Sequence, residues 1–100
     1  MKVEIGTKEN FPEGQGTLVE KEGKQIAVFN KNGKLFAINS VCLHKGGPIA
    51  DGYVDENNIV ACPWHGWQYS IETGENQYDK NMKLAVYKIT EKGGKVFLEI

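Results

Sequence analysis

The chain is expected to be all-β, an antiparallel β sandwich or barrel of small size. Short alternating or apolar runs fill it, separated by turns rich in glycine, asparagine and lysine. No segment sustains the apolar period of a helix. Eight such runs fit within 100 residues, the density of strands found in small barrels and sandwiches.

Taken in order, strands are expected at residues 2–5, 16–21, 24–30, 34–39, 59–61, 67–70, 84–90 and 95–99. Asn30-Lys31-Asn32-Gly33 sits between two good runs and supports a hairpin, because Asn-Gly tolerates positive φ. Glu22-Gly23 and Gly93-Gly94 mark two further tight connections. Leu84, Val86 and Ile89, then Val96, Leu98 and Ile100, predict a final hairpin with one buried face. The polar stretch 51–58 leaves room for a helical turn. No repeat, low-complexity tract or linker interrupts the chain, so residues 1–100 are expected to form one domain.

Composition narrows the function. The net charge of −1 leaves no nucleic-acid footprint, and all twelve basic residues are lysine, without the arginine that bidentate base contacts favour. No apolar run approaches the roughly 18 residues that span a bilayer. The start, Met1-Lys2-Val3-Glu4-Ile5, has no apolar signal region. A soluble cytoplasmic protein with neither membrane nor nucleic acid as partner is therefore expected. Two cysteines cannot build a disulfide framework, and in a reducing compartment they more often bind metal or serve redox chemistry.

Both cysteines and both histidines fall in two knots, Cys42-Leu43-His44 and Cys62-Pro63-Trp64-His65, with seventeen residues between them. In an extended backbone, Cys42 and His44 would face the same side. Pro63 suits the first central position of a β-turn, which would fold Cys62 and His65 back toward the same centre. Each loop thus offers one thiolate and one imidazole. Gly46-Gly47 and Gly66 follow the knots and let backbone N–H groups converge on a negative object. Such donors suit inorganic sulfide and thiolate better than a bare zinc ion.

The pattern Cys-x-His, seventeen residues, Cys-x-x-His resembles the signature of Rieske 2Fe-2S proteins. The likeness extends over Cys42-Leu43-His44-Lys45-Gly46-Gly47-Pro48-Ile49 and Cys62-Pro63-Trp64-His65-Gly66-Trp67-Gln68-Tyr69, followed by Thr73-Gly74. It implies one 2Fe-2S cluster per chain, with Cys42 and Cys62 on one iron and His44 and His65 on the other. The histidines would lie at the tip, nearest the electron partner. It also implies a Rieske-like fold with a small rubredoxin-like cluster-binding subdomain at about residues 40–69.

Respiratory members of that family carry an extra cysteine in each loop, joined as a disulfide. Gly47 and Trp64 stand at those positions, so the bridge is impossible here. Trp67 replaces a serine that donates to a bridging sulfide, whereas Tyr69 matches a tyrosine that donates to a cysteine sulfur. Fewer donors to sulfur lower the potential, which is expected on the order of −150 mV. The Trp64–Trp67 stretch also resembles the Rieske domains of ring-hydroxylating oxygenases, but the chain lacks length and histidines for their mononuclear iron domain. The resemblance therefore implies a ferredoxin, an electron carrier and not an enzyme. It would take electrons from a flavin-dependent reductase and pass them to a terminal oxygenase or other redox enzyme. The small subunit of assimilatory nitrite reductase is the alternative within the family.

Other readings stand beside it. Cys2His2 is a common zinc set, and a structural zinc site would make the chain an interaction module. Zinc usually pairs C-x2–4-C with H-x3–5-H, however, whereas each knot here mixes the two residue types. A Cys42–Cys62 disulfide beside two incidental histidines is the blander option. Trp64 serves either docking or packing, and Trp67 is expected in the core. Tyr69 either donates to sulfur or simply packs, Pro48 shapes its loop or shields the cluster from the far side, and Lys45 steers a partner or is merely solvated.

Overall fold

The computed structural model describes residues 2–43, 46–64 and 66–100; Met1, His44, Lys45 and His65 lie outside the described residues. Strand makes up 54% of the structure and helix 6%, which establishes the all-β class. Nine strands are described: β1 (Lys2–Thr7), β2 (Gly16–Lys21), β3 (Lys24–Lys31), β4 (Lys34–Asn39), β5 (Tyr53–Val54), β6 (Ile59–Ala61), β7 (Gln68–Ser70), β8 (Val86–Lys92) and β9 (Lys95–Glu99). Six form one sheet in the order β1-β9-β8-β4-β3-β2, and β5-β6-β7 form a second. Every pairing between these strands is antiparallel.

Three tight hairpins build the large sheet. Their central pairs, Glu22-Gly23, Asn32-Gly33 and Gly93-Gly94, all have positive φ at both positions. This is the mirror-image turn whose twist matches that of the flanking strands. The pairings Lys21↔Lys24, Lys31↔Lys34 and Lys92↔Lys95 leave two residues in each loop.

Alternation along β3 divides the interior in two. Ile26 and Val28 point one way and pack with Phe11, Ala37, Val96 and Leu98. Ala27 and Phe29 point the other way, toward Ile38, Ile49, Val60, Tyr69, Leu84 and both cysteines. The second body of apolar side chains thus runs from the large sheet into the small one, and Cys42 and Cys62 are part of it. That shared core fixes the small sheet, and the loops it carries, against the large one.

Two expectations need correction. The strand expected at 84–90 begins at Val86, and its apolar residues do not share one face. Val86 is exposed, while Tyr87 and Ile89 pack beside Val96 and Leu98, because residues two apart share a face and residues three apart do not. Leu84 precedes the strand, donates its N–H to the Gly74 carbonyl at 2.8 Å and belongs to the cysteine side of the core. In the stretch 51–58, the helical turn lies earlier, as a 3-10 turn at Ile49–Asp51, and the short strand β5 follows.

Candidate metal centre

The first loop leaves β4 on a stapled base. Ser40 donates its N–H to the Gln25 carbonyl at 2.8 Å, and its own carbonyl accepts the Ile49 N–H at 2.7 Å. Its hydroxyl accepts the Ala50 N–H at 3.1 Å, and Val41 bridges Pro48. Above this base the Cys42 N–H donates to the Gly47 carbonyl at 2.9 Å, and the Gly46 N–H donates to the Cys42 carbonyl at 2.8 Å.

The second loop joins β6 to β7 and closes in the same way. The Cys62 N–H donates to the Trp67 carbonyl at 2.7 Å, and the Gly66 N–H donates to the Cys62 carbonyl at 2.9 Å. Gly46 and Gly66 both have φ +73°, a left-handed conformation that favours glycine. The loops are therefore equivalent turns, each with its cysteine in first place. From sequence, the backbone from Cys42 to His44 is expected to be extended, of which His44 lies outside the described residues, and a turn is expected at Cys62. The described part of the first loop turns instead, because two backbone hydrogen bonds close it. Pro63 and Trp64 do lie in a turn.

Both cysteines are 3% exposed. The hydroxyl of fully buried Tyr69 lies 3.4 Å from the Cys42 sulfur and accepts the Leu43 N–H at 3.2 Å. Burial, and then Cys42, push the Tyr69 pKa up to about 12, against the opposing pull of the Leu43 amide and Asn76. The phenol consequently keeps its proton, and a thiolate at Cys42 would receive it as a hydrogen bond. Gly47 is buried where a Cβ would lie 2.5 Å from the Cys62 sulfur. The second loop needs that space. Trp67 packs partly buried against the cysteine-side core, as expected, while Trp64 is 56% and Leu43 45% exposed.

Two buried sulfurs at the roots of matched turns, one with an O–H neighbour and the other in a cradle that only glycine leaves open, suit a thiolate-held iron–sulfur group. Among the described residues no three His, Cys, Asp or Glu side chains converge. The expected ligands His44 and His65, and the steering role considered for Lys45, lie outside those residues. Asn76, which bridges Tyr69, was not identified from sequence. Its partner is set by the turn at Thr73-Gly74, and no local pattern marks it.

The fold and the loops define an antiparallel β protein of two sheets with a pair of matched loops, each rooted at a buried cysteine. Residues 1–88 match the family model of the Rieske [2Fe-2S] domain. The 3-phenylpropionate/cinnamic acid dioxygenase ferredoxin subunit of Photorhabdus laumondii is 30% identical over 97 residues, covering 96% of this chain and 91% of its own. The ferredoxin of carbazole 1,9a-dioxygenase from Nocardioides aromaticivorans IC177 superposes with a TM-score of 0.90 at 19% identity, over 97% of this chain and 95% of that one. A Mycobacterium tuberculosis protein described as an NADH-dependent nitrite reductase small subunit shares the fold equally, with TM-score 0.90, 19% identity, and coverage of 98% and 93%. The chain belongs to the Rieske 2Fe-2S domain family. Membership implies a 2Fe-2S cluster and the role of a ferredoxin, a one-electron carrier.

Proposed function

We propose that Cys42 and Cys62 hold one iron of the cluster through thiolates and that His44 and His65 hold the other through imidazole. Residues 1–100 then act as one Rieske domain, with the cluster-binding subdomain at about residues 40–69. The observation that carries this reading is the identical closure of the two loops around buried Cys42 and Cys62. The spacing of the histidines in sequence supports their part in it.

When bound, the cluster supplies a one-electron couple. The protein's residues set its environment. Tyr69 donates a hydrogen bond toward the Cys42 sulfur, Gly47 leaves room for the Cys62 sulfur, and Ile49, Val60 and Ile71 keep water from the inner side. Exposed Leu43 and Trp64 offer an apolar rim for a transient encounter, of the kind that commonly buries under about 1,200 Å².

In this reading the donor is a flavin-dependent reductase and the acceptor a terminal oxygenase, and the chain itself transforms no substrate. The relatedness to dioxygenase ferredoxin subunits supports that assignment. No helix among the described residues is long and apolar enough to cross a membrane, which fits work in the cytoplasm. A second reading, the small subunit of a nitrite reductase, has the fold of the Mycobacterium tuberculosis protein in its favour.

EPR of the anaerobically purified, dithionite-reduced protein tests the cluster. A rhombic spectrum with mean g near 1.9, below that of all-cysteine 2Fe-2S centres, is expected of mixed Cys/His ligation. A silent spectrum with one zinc per chain would replace the carrier with a structural module. Co-purification with a sirohaem enzyme, and no turnover with a flavin reductase and an oxygenase, would favour the nitrite reductase reading.

A further inference from the structure

The large sheet comes apart between β4 and β8. Their pairing is confined to Ala37↔Tyr87 and Ile38↔Val86, although β4 starts at Lys34 and β8 runs on to Lys92. Over the same length both strands keep register with their other neighbours, β3 and β9. Between the parted edges lies a cleft of about 220 Å³, lined by Gly33, Lys34, Leu35, Ile89, Thr90 and Glu91. Lys8 straps the two edges together. Its Nζ donates to the Gly33 carbonyl at 2.6 Å and lies 3.6 Å from the Glu91 carboxylate.

The edges suit an extended chain. The pairs that close the two hairpins, Lys31↔Lys34 and Lys92↔Lys95, exchange both hydrogen bonds, and bonding alternates from there. Leu35 on β4, and Ile89 and Glu91 on β8, therefore turn their backbone N–H and C=O groups toward the cleft. Asn39 has the same parity as Leu35, and its N–H does reach across, to the Ala85 carbonyl at 2.9 Å. Leu35 and Ile89 pack against the core and give the cleft an apolar floor. The Thr90 hydroxyl oxygen is buried with no hydrogen-bond partner among the described residues. A buried polar group in that state costs roughly 1–3 kcal/mol, which a bound partner group would offset. The volume is below the roughly 300–1,000 Å³ of small-molecule sites, which favours a piece of polypeptide.

Charge selects among polypeptides. Residues 31–34 and 88–95 hold five of the twelve lysines and one of the thirteen acids. The whole chain carries −1, so this end is basic on an otherwise acidic molecule. The lack of arginine disfavours nucleic acid as the occupant. The cleft is also remote from the cysteine loops. The Cys42 loop leaves β4 at Asn39, and Lys34 stands at the other end of that strand, roughly 17 Å away at about 3.4 Å per residue.

We propose that the parted β4–β8 seam is a docking site for an extended acidic segment of a partner protein. The segment adds to the β8 edge as a strand, with its carboxylates among Lys34, Lys88 and Lys92. Leu43 and Trp64 stay uncovered, so a partner tethers the carrier at one end while the other end exchanges electrons. The site shares no residue with the cysteine loops, and it stands apart from the assignment of cluster ligands.

Fluorescence anisotropy of the intact protein tests this, with a labelled seven-residue peptide of alternating glutamate and valine, at about 0.15 M salt. Binding with Kd below about 1 mM is expected. Replacing the glutamates of the peptide by lysine, or N-methylating all its amides, should each weaken binding at least about tenfold. Lys34→Glu combined with Lys92→Glu should do the same. Lys24→Glu combined with Lys80→Glu makes an equal change of charge elsewhere, and should weaken binding less than about twofold. All four lysines are exposed, so the fold tolerates both pairs of changes. No binding, equal losses in the two double variants, or equal binding of the N-methylated peptide would overturn the proposal. Phosphatidylserine vesicles that compete as strongly as unlabelled peptide would overturn it too, and make this end a membrane-facing surface.

Discussion

Gly47 and Trp64 face each other across the two loops: a Cβ on Gly47 would lie 3.2 Å from both Cγ and Cδ2 of Trp64. These are the positions where respiratory Rieske proteins are expected to carry their disulfide. Here the loops meet through an indole over a glycine instead. The same Cβ would lie 2.5 Å from the Cys62 sulfur, well inside van der Waals contact.

Gly47→Ala is therefore expected to cut the iron and acid-labile sulfide content of the purified protein severalfold. Gly47 does not have positive φ, so the effect is steric and local, and the far-UV circular dichroism of the β fold should persist. Full cluster content in this variant would show that the Cys62 loop has slack that the packing does not suggest.

The Tyr69 hydroxyl bears on the potential. It lies 3.4 Å from the Cys42 sulfur, and its O–H stabilises negative charge there, more so after reduction. Tyr69→Phe is expected to lower the midpoint potential by roughly 60 mV, equivalent to about 1.4 kcal/mol for one electron. Potentiometric titration of both proteins decides it, and an unchanged potential would make Tyr69 a packing residue.

The same phenol gives stability a pH limit. Its pKa rises from 10.0 to about 12, first because burial disfavours the phenolate. The fold thus favours the neutral form. The stabilisation is fully present below pH 10 and is lost as pH climbs through about 12. Across that window wild-type protein should lose up to ~2–3 kcal/mol that Tyr69→Phe does not lose, measured by denaturant unfolding at stepped pH. Parallel curves for the two proteins would refute this.

Much of this architecture is legible in the residues, and the reasons differ by element. Strands β2, β4, β6 and β9 have the bounds expected from their runs, since each run ends at a turn pair or at a knot. The mirror-image hairpins were marked by Asn32-Gly33, Glu22-Gly23 and Gly93-Gly94, because few residue pairs accept two positive φ values. Strand β5 escaped because two residues carry no alternation. The outward turn of Val86 escaped because only the pairing of β8 with β9 sets its parity. The site divides in the same way. Cysteine and histidine spacing singled out the two loops and the proposed ligands, but the shared closure of the loops and the place of Asn76 beside Tyr69 depend on backbone contacts that no local pattern marks.

Trp64 offers the sharpest test of how the carrier meets its partner, because its two roles predict different observables. It is 56% exposed, and Leu43 on the other loop is 45% exposed, so one large apolar side chain from each loop reaches solvent. Tryptophan in such a position is a frequent source of binding energy at protein interfaces. If it docks the acceptor, Trp64→Ala should slow second-order electron transfer about tenfold, a loss of ~1.4 kcal/mol, with the potential and EPR spectrum unchanged. The salt dependence of the rate should also be unchanged, since no charge is removed. If the indole serves chiefly to cover Gly47, truncation admits water near the Cys62 sulfur and the potential moves instead. Stopped-flow transfer rates measured alongside a redox titration of the same variant separate the two. A shifted potential with an unaltered rate would reassign Trp64 from docking to packing.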